Sequence, residues 1–434
     1  MNFLTWFAII IGFTAFISLL NERFLKIPND IALLLGSFLL CITLKTAGNL
    51  LSLDWLNSAL SKLGAFGFES YLLDGVLCFM LFAGAGEVHF NKFKSNLKNI
   101  TLLSFLTTAI SALLFGLLFF AASRAFGWGL DIWVCVLLGC IVSPTDPIAA
   151  TGIMNKLGLS KNVTTVIESE SLFNDGMGVA LFAFVKSIVT NIGRENFVLL
   201  MLREVLGAAA VALAVSALLL FFVGKSKKPL NHILFSILAV SSVYVICESC
   251  GFSGVIASVV CGMTFSYGMD KMARWRMIVD RENLYERFWE IIDSILNSVL
   301  FVMIGFSVVR LKPSKGLFAV GAAAVIAVLI SRAVGVALPT AFNRKNNIPG
   351  GYDLIEYTAL MTWSALKGGL TLALVLSTGE ILPSATYELL LGAAYVIIIF
   401  TVIVQGLTTK KIYRMIERSK SKRIRKESCR KCGS

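Results

Sequence analysis

Glu170-Ser171-Leu172-Phe173-Asn174-Asp175-Gly176 lies inside the apolar run from Val163 to Val185. That run is long enough to cross a bilayer, which takes about 20 residues. Lys161 and Lys186 flank it as interface anchors, and Asp175 falls about midway between them. A carboxylate at that depth costs on the order of 3 kcal/mol on insertion scales. A fixed partner, a proton or a bound cation has to offset that cost.

The rest of the chain has the same character. Of 434 residues, 57% are hydrophobic and 15% charged, which marks a polytopic membrane protein. Thirteen hydrophobic spans are expected near 3–20, 30–49, 70–87, 100–122, 133–154, 163–187, 199–223, 231–250, 252–268, 289–309, 316–341, 356–379 and 387–407. No connecting segment is long enough for a separate soluble domain, and no nucleotide-binding loop is present, so no cofactor is expected. The first span lacks a basic leading region and a small-residue cleavage site, so it reads as a retained helix.

Basic residues orient the chain. Counting residues near a span end with the adjoining loop, 28 of 39 Lys and Arg fall on the side of the C-terminal tail and 9 opposite, leaving Arg332 and Lys367 deep inside spans. Positive residues stay cytoplasmic, so the tail faces the cytoplasm and the N-terminus faces outward. The net charge of +13 resides in membrane-flanking loops and the tail, which argues for anionic lipid contact at Lys410 to Lys431 and against nucleic acid. Seven of nine cysteines sit in or beside apolar spans as small hydrophobes. Cys429 and Cys432 form one C-x-x-C without a second pair, and only His89 and His232 occur, so neither a zinc site nor a histidine-based site is expected.

Two spans are interrupted. Ser143-Pro144-Thr145-Asp146-Pro147 places two prolines in the middle of span five, which removes two backbone donors and breaks the helix. Unwound backbone at membrane depth must be buried in protein or line a wet cavity. Asp146 there either neutralises half-helix N-termini or contacts a cation. In span twelve, Thr362-Trp363-Ser364-Ala365-Leu366-Lys367-Gly368-Gly369 combines adjacent glycines with a mid-membrane lysine, for which exposed half-helix carbonyls are a fitting partner. One interrupted span in each half of the chain points to an inverted-repeat transporter with its site at the repeat interface.

On span six, residues advance about 100° each, so Ser171 and Asp175 share one rail and Glu170 and Asn174 a neighbouring one. The first rail, facing the span-five break, offers a hydroxyl and a carboxylate as ligands for a small hard cation. Proton and cation then compete for one group, which is what exchange requires. Arg332, alone inside span eleven, calls for a carboxylate, and Glu170 is the expected partner. Glu168, nearer the cytoplasm, is either a funnel charge or a solvated residue, and the second is preferred.

These residues resemble the cation:proton antiporter family, in its NhaP/NHE-type sodium/proton exchanger branch. The matching residues are Thr145-Asp146-Pro147, Glu170-Ser171-x-x-Asn174-Asp175-Gly176, and Ser253-Gly254-Val255-Ile256-Ala257 preceded by Glu248. Trp363-x-x-Leu366-Lys367-Gly368 is a looser match. The resemblance implies an NhaA-like antiporter fold: all-α, about 13 transmembrane helices, an inverted repeat with two interrupted helices. It implies core helices at about 100–187 and 316–407 moving against dimerisation and scaffold helices at about 1–87 and 199–309, followed by a basic cytoplasmic tail at 408–434. By the same resemblance Asp175 binds cation or proton, Thr145 and Ser171 supply further oxygens to Na⁺, Asn174 orients the site, and Glu170 pairs with Arg332. Two departures stand out. The family usually has arginine where this chain has Lys367, and many bacterial members carry an acid in span three, where this chain has Ala83 in Leu81-Phe82-Ala83-Gly84 and Glu87 one turn on.

The expected function is electroneutral Na⁺ (or Li⁺)/H⁺ antiport by alternating access, in a homodimer of the bacterial inner membrane. K⁺/H⁺ exchange is the alternative, since the ligand types do not fix cavity size, and a cation channel is a further one. A hydrolase using Asp146 and Asp175 lacks a metal-ligand spacing or a nucleophile–base pair, so no enzyme is expected.

Overall fold

The computed structural model describes residues 3–54, 58, 71–87, 102–146, 161–190, 197–275, 284–308, 316–342 and 348–432. Among these the chain is helical, and its one β-type contact is a single antiparallel bridge between Asp146 and Leu366. Nine of the described helices are long and apolar enough to cross a membrane, and three shorter apolar helices accompany them at Leu77–Gly86, Ile132–Val142 and Gly369–Glu380.

The helices are α1 (Phe3–Leu20), α2 (Asn29–Leu50), α3 (Leu77–Glu87), α4 (Thr108–Phe126), α5 (Ile132–Val142), α6 (Lys161–Val189), α7 (Phe197–Val223) and α8 (Pro229–Ser249). They continue as α9 (Gly254–Arg274), α10 (Leu284–Ser307), α11 (Leu317–Phe342), α12 (Leu354–Trp363), α13 (Gly369–Leu376), α14 (Ser384–Ile399) and α15 (Gly406–Cys432). Span five ends as a helix at Val142, where Pro144 withholds the donor the next turn needs. Its continuation from Pro147 lies outside the described residues. Span twelve divides into α12 and α13 around Ser364–Gly368, where the glycines were expected to weaken it. Span nine runs past its expected end at 268 to Arg274.

Two packed groups follow from residue size. α4, α5, α6 and α11 lie against one another, and small residues set the approach. Gly116 faces the backbone of Val136, whose Cα an added side-chain carbon would meet at 2.7 Å, and Gly139 packs on the carbonyl of Ala112. Ser111 donates to the Ser331 carbonyl at 3.2 Å, tying α4 to α11. A second group gathers α3, α7, α8 and α9 around Phe82, Phe265 and Trp289. There the motif Ser253–Ala257 is a helix start. Ser253 accepts the Ile256 amide at 3.2 Å, and the Glu248 carboxylate accepts the Gly254 amide at 2.9 Å. Both bonds satisfy donors that the first turn of α9 leaves unpaired. α10 packs on α2 and α3 and joins this group to the broken helices.

The basic C-terminal stretch is helical and continuous with the last span. α14 passes through a π-helical segment, Phe400–Gln405, into α15. α15 packs on α12, where Arg423 donates to the Gly351 carbonyl at 2.7 Å and to Glu356 at 3.0 Å. Ser419 also donates to Glu356, at 3.0 Å, and the Tyr352 hydroxyl donates to Glu417. Burial and that carboxylate push the Tyr352 hydroxyl's pKa up, so it stays a donor. Part of the tail's charge is therefore engaged by the protein itself. The side chains of Cys429 and Cys432, and all of His89, lie outside the described residues, whereas His232 is buried with Nε2 3.0 Å from the Ser226 carbonyl.

Candidate ion-binding site at the crossing of the broken helices

The two interruptions meet. The Asp146 amide donates to the Leu366 carbonyl at 2.8 Å, so the unwound strands cross with antiparallel backbones. Each strand then places a charged side chain at the end of the other's half-helix. Lys367 donates from Nζ to the carbonyls of Ser143 at 3.1 Å and Pro144 at 2.9 Å, just past the C-terminus of α5. Those carbonyls have no intrahelical partner and carry the negative end of the helix dipole. Asp146 lies against Gly368, the N-cap of α13, where an added Cβ would come within 2.7 Å of its Oδ2. Its carboxylate thus faces a positive helix end, and only glycine admits that approach. The partner expected for Lys367, half-helix carbonyls, is the one it has.

Helix α6 holds this crossing. Asn174 accepts the Thr145 amide at 3.2 Å and donates to the Thr145 hydroxyl at 2.7 Å, while Ser171 donates to the Thr145 carbonyl. Thr145 is gripped at three points, so the break is fixed in shape although it is not helical. Close to it, Gly178 packs on the Pro144 ring. Asn174 also donates to Glu170 at 3.2 Å. Glu170 in turn takes both terminal nitrogens of Arg332, at 2.9 and 3.0 Å, in a bidentate pair buried on both sides. This is the pairing that span eleven's lone arginine called for.

Asp175 stands apart from that network. It is half-buried, and among the described residues no hydrogen bond or salt bridge engages its carboxylate. It lines a cavity of about 330 Å³ together with Thr145, Asp146 and Ser171. A water needs only about 10–15 Å³ of such space, so the cavity has room for water and ions beside these polar groups. Glu168 lines the same cavity, a place open both to a funnel charge and to a solvated residue. Leu81 and Gly84 of α3 contribute to the wall, whereas Ala83 is buried in the second packed group and the Glu87 side chain lies outside the described residues.

Three contributors are absent from the sequence-based set. Asp293 and Asn297 of α10 line the cavity, and the Thr401 hydroxyl accepts the Lys367 amide at 3.2 Å. The spacing of Asp293, Asn297 and Leu300 on one helical stripe is a signal available in the sequence. Thr401 carries none, because its role depends on the last span reaching the second break.

A sequence profile described as sodium/hydrogen exchanger, transmembrane, matches residues 63–414, well over half of the chain. The chain belongs to the sodium/hydrogen exchanger family. This exchanger is 27% identical to the Na(+)/H(+) antiporter NhaP of Pseudomonas aeruginosa over 94% of its own length and 96% of that protein's. It is 28% identical to the Na(+)/H(+) antiporter NhaH of Halobacillus aidingensis, covering 91% and 93% of the two chains. Its fold is similar to that of the sodium proton antiporter MjNhaP1 from Methanocaldococcus jannaschii, with a TM-score of 0.74 at 17% identity, covering 95% and 97%.

Proposed function

We propose that the protein exchanges Na⁺ for H⁺ one for one, with Asp175 as the group both ions occupy in turn. The observation that carries this is the contrast within α6. Glu170 is paired with Arg332, while Asp175, five residues on, borders a cavity with room for water and has no hydrogen-bonding partner among the described residues. A carboxylate in that position takes either a proton or a cation, and a single exchangeable charge gives electroneutral stoichiometry. Ser171 and Thr145 supply further oxygens, and Asp146 stands beside them on the cavity wall. Asn174, Glu170, Arg332 and Lys367 keep the crossing rigid. Na⁺ is cargo here, and the donor set of carboxylate, hydroxyl and carbonyl suits a hard cation.

Alternating access follows if helices of about 100–187 and 316–407 move as a core against those of about 1–87 and 199–309. The crossing of one broken span from each half supports an inverted repeat of about 13 helices. The basic asymmetry supports a cytoplasmic C-terminus in a bacterial plasma membrane. The exposed stripe Leu199, Leu202, Leu206 and Leu213 on α7 suits lipid or a second copy in a homodimer.

Proton flux in proteoliposomes, driven by inward gradients of Na⁺, Li⁺ or K⁺, tests this. The expected result is exchange with Na⁺ and Li⁺, no net current, and complete loss in Asp175→Asn. Flux with K⁺ alone would assign the alternative cargo, conduction without proton coupling would make the protein a channel, and exchange persisting in Asp175→Asn would refute the assignment of the carboxylate.

A further inference from the structure

The wall of the cavity formed by α10 carries groups that exchange at Asp175 does not use. Asp293 and Asn297 are four residues apart and share a face. The Asn297 amide nitrogen donates to Asp293 Oδ2 at 2.9 Å. A carboxylate only accepts, so this bond fixes which way the amide points. Asn297 is 2% exposed, and its Oδ1 has no hydrogen-bond partner among the described residues. A buried amide oxygen left without a donor is unfavourable, and a ligand at that oxygen relieves the cost. The ligand indicated is positive, because its immediate neighbour is the Asp293 carboxylate, and hard, because both groups coordinate through oxygen.

Position distinguishes this pair from Asp175. Leu300, on the same stripe, packs on Gly369 beside the crossing. Asn297 lies one turn and Asp293 two turns before it, so the pair is about 5–10 Å along the helix axis from that contact. The crossing and the pair open on one cavity. We propose that Asp293 and Asn297 form a second, outer subsite for a hydrated monovalent cation, occupied on the way to Asp175. The inference rests on exchange at Asp175 and adds a station to its path. It makes α10, rather than the broken helices, the element that sets apparent cation affinity.

The experiment compares the half-saturating Na⁺ concentration for exchange in proteoliposomes. Asp293→Asn is expected to raise it about tenfold with exchange persisting at high Na⁺, since ligand charge sets the affinity of oxygen sites. Asn297→Leu removes the amide oxygen and no charge, and is expected to raise it about threefold. A long-range field effect of Asp293 alone would leave Asn297→Leu at the unmodified value, and that result overturns the subsite. So does an Asp293→Asn value within about twofold of the unmodified protein. Asp293→Glu, which keeps the charge and tests folding, is expected to restore affinity to within about threefold. Complete loss of exchange in folded Asp293→Asn also overturns the proposal, by making Asp293 part of the inner site. Asp175→Asn is run alongside: exchange surviving there refutes the inner site whatever Asp293 does, so the two failures are told apart.

Discussion

Helix α6 carries two carboxylates five residues apart that meet opposite environments. Glu170 faces α11 and is locked in a buried bidentate pair with Arg332, with Asn174 donating to it as well. Asp175 faces the cavity, where no hydrogen bond or salt bridge among the described residues engages it. The difference shows how one helix can fix one acid in an ion pair and leave another facing open space. Depth in the membrane alone does not separate them, because both lie within the span. Partnering does. A guanidinium with matched geometry fixes one carboxylate in a bidentate pair, while the other faces a cavity with room for water and ions.

The sharpest break of this comparison exchanges the two acids' fates. Asp175→Asn is expected to abolish Na⁺-driven proton flux while leaving the melting temperature near that of the unmodified protein. Glu170→Gln is expected to do the reverse in kind, lowering stability first. Arg332→Ala removes the other partner and leaves a buried carboxylate uncompensated, which costs about 3–5 kcal/mol. Thermal unfolding in detergent reads that loss, and an unchanged transition would mean that the pair is not holding α6 to α11.

A smaller effect is expected at the crossing. Lys367→Met leaves the Ser143 and Pro144 carbonyls without their donor, at a cost of about 1–3 kcal/mol. Lys367→Arg keeps the charge and is expected to recover most of it, with melting temperatures ranking unmodified, then arginine, then methionine. Equal melting temperatures for all three would show that the carbonyls are satisfied without the lysine. The smallest effect belongs to the tail. Arg423→Ala loses partly exposed bonds to Glu356 and Gly351, worth up to about 1 kcal/mol. Its readout is faster amide hydrogen exchange at the start of α12, with transport rate unaltered.

Much of the site is legible in the sequence because membrane depth makes polar residues conspicuous. Arg332 and Glu170 can be matched from their positions in the spans, since each is nearly intolerable alone in lipid. The two breaks are equally visible, one from Pro144 and one from Gly368 and Gly369, because helix interruption is a local property of backbone chemistry. Asp293 is harder to recognise although it also lies in an apolar span. Four residues from the expected start of that span, it resembles an interface charge, and only the cavity distinguishes the two. Glu168 is ambiguous for the same reason.

The amino-acid order by itself determined an all-helical membrane protein, the places where two helices stop, and which buried charges need partners. These follow from hydropathy, ring and glycine constraints, and the penalty on charge in lipid, all of which act over a few residues. Folding decided that the two breaks cross, that Lys367 and Asp146 each sit at the other segment's helix end, and that Asn174 and Ser171 clamp Thr145. It also decided that α10 completes the cavity and that α15 returns onto α12. Those outcomes depend on which helices lie side by side, and that is fixed by packing between residues far apart in the chain.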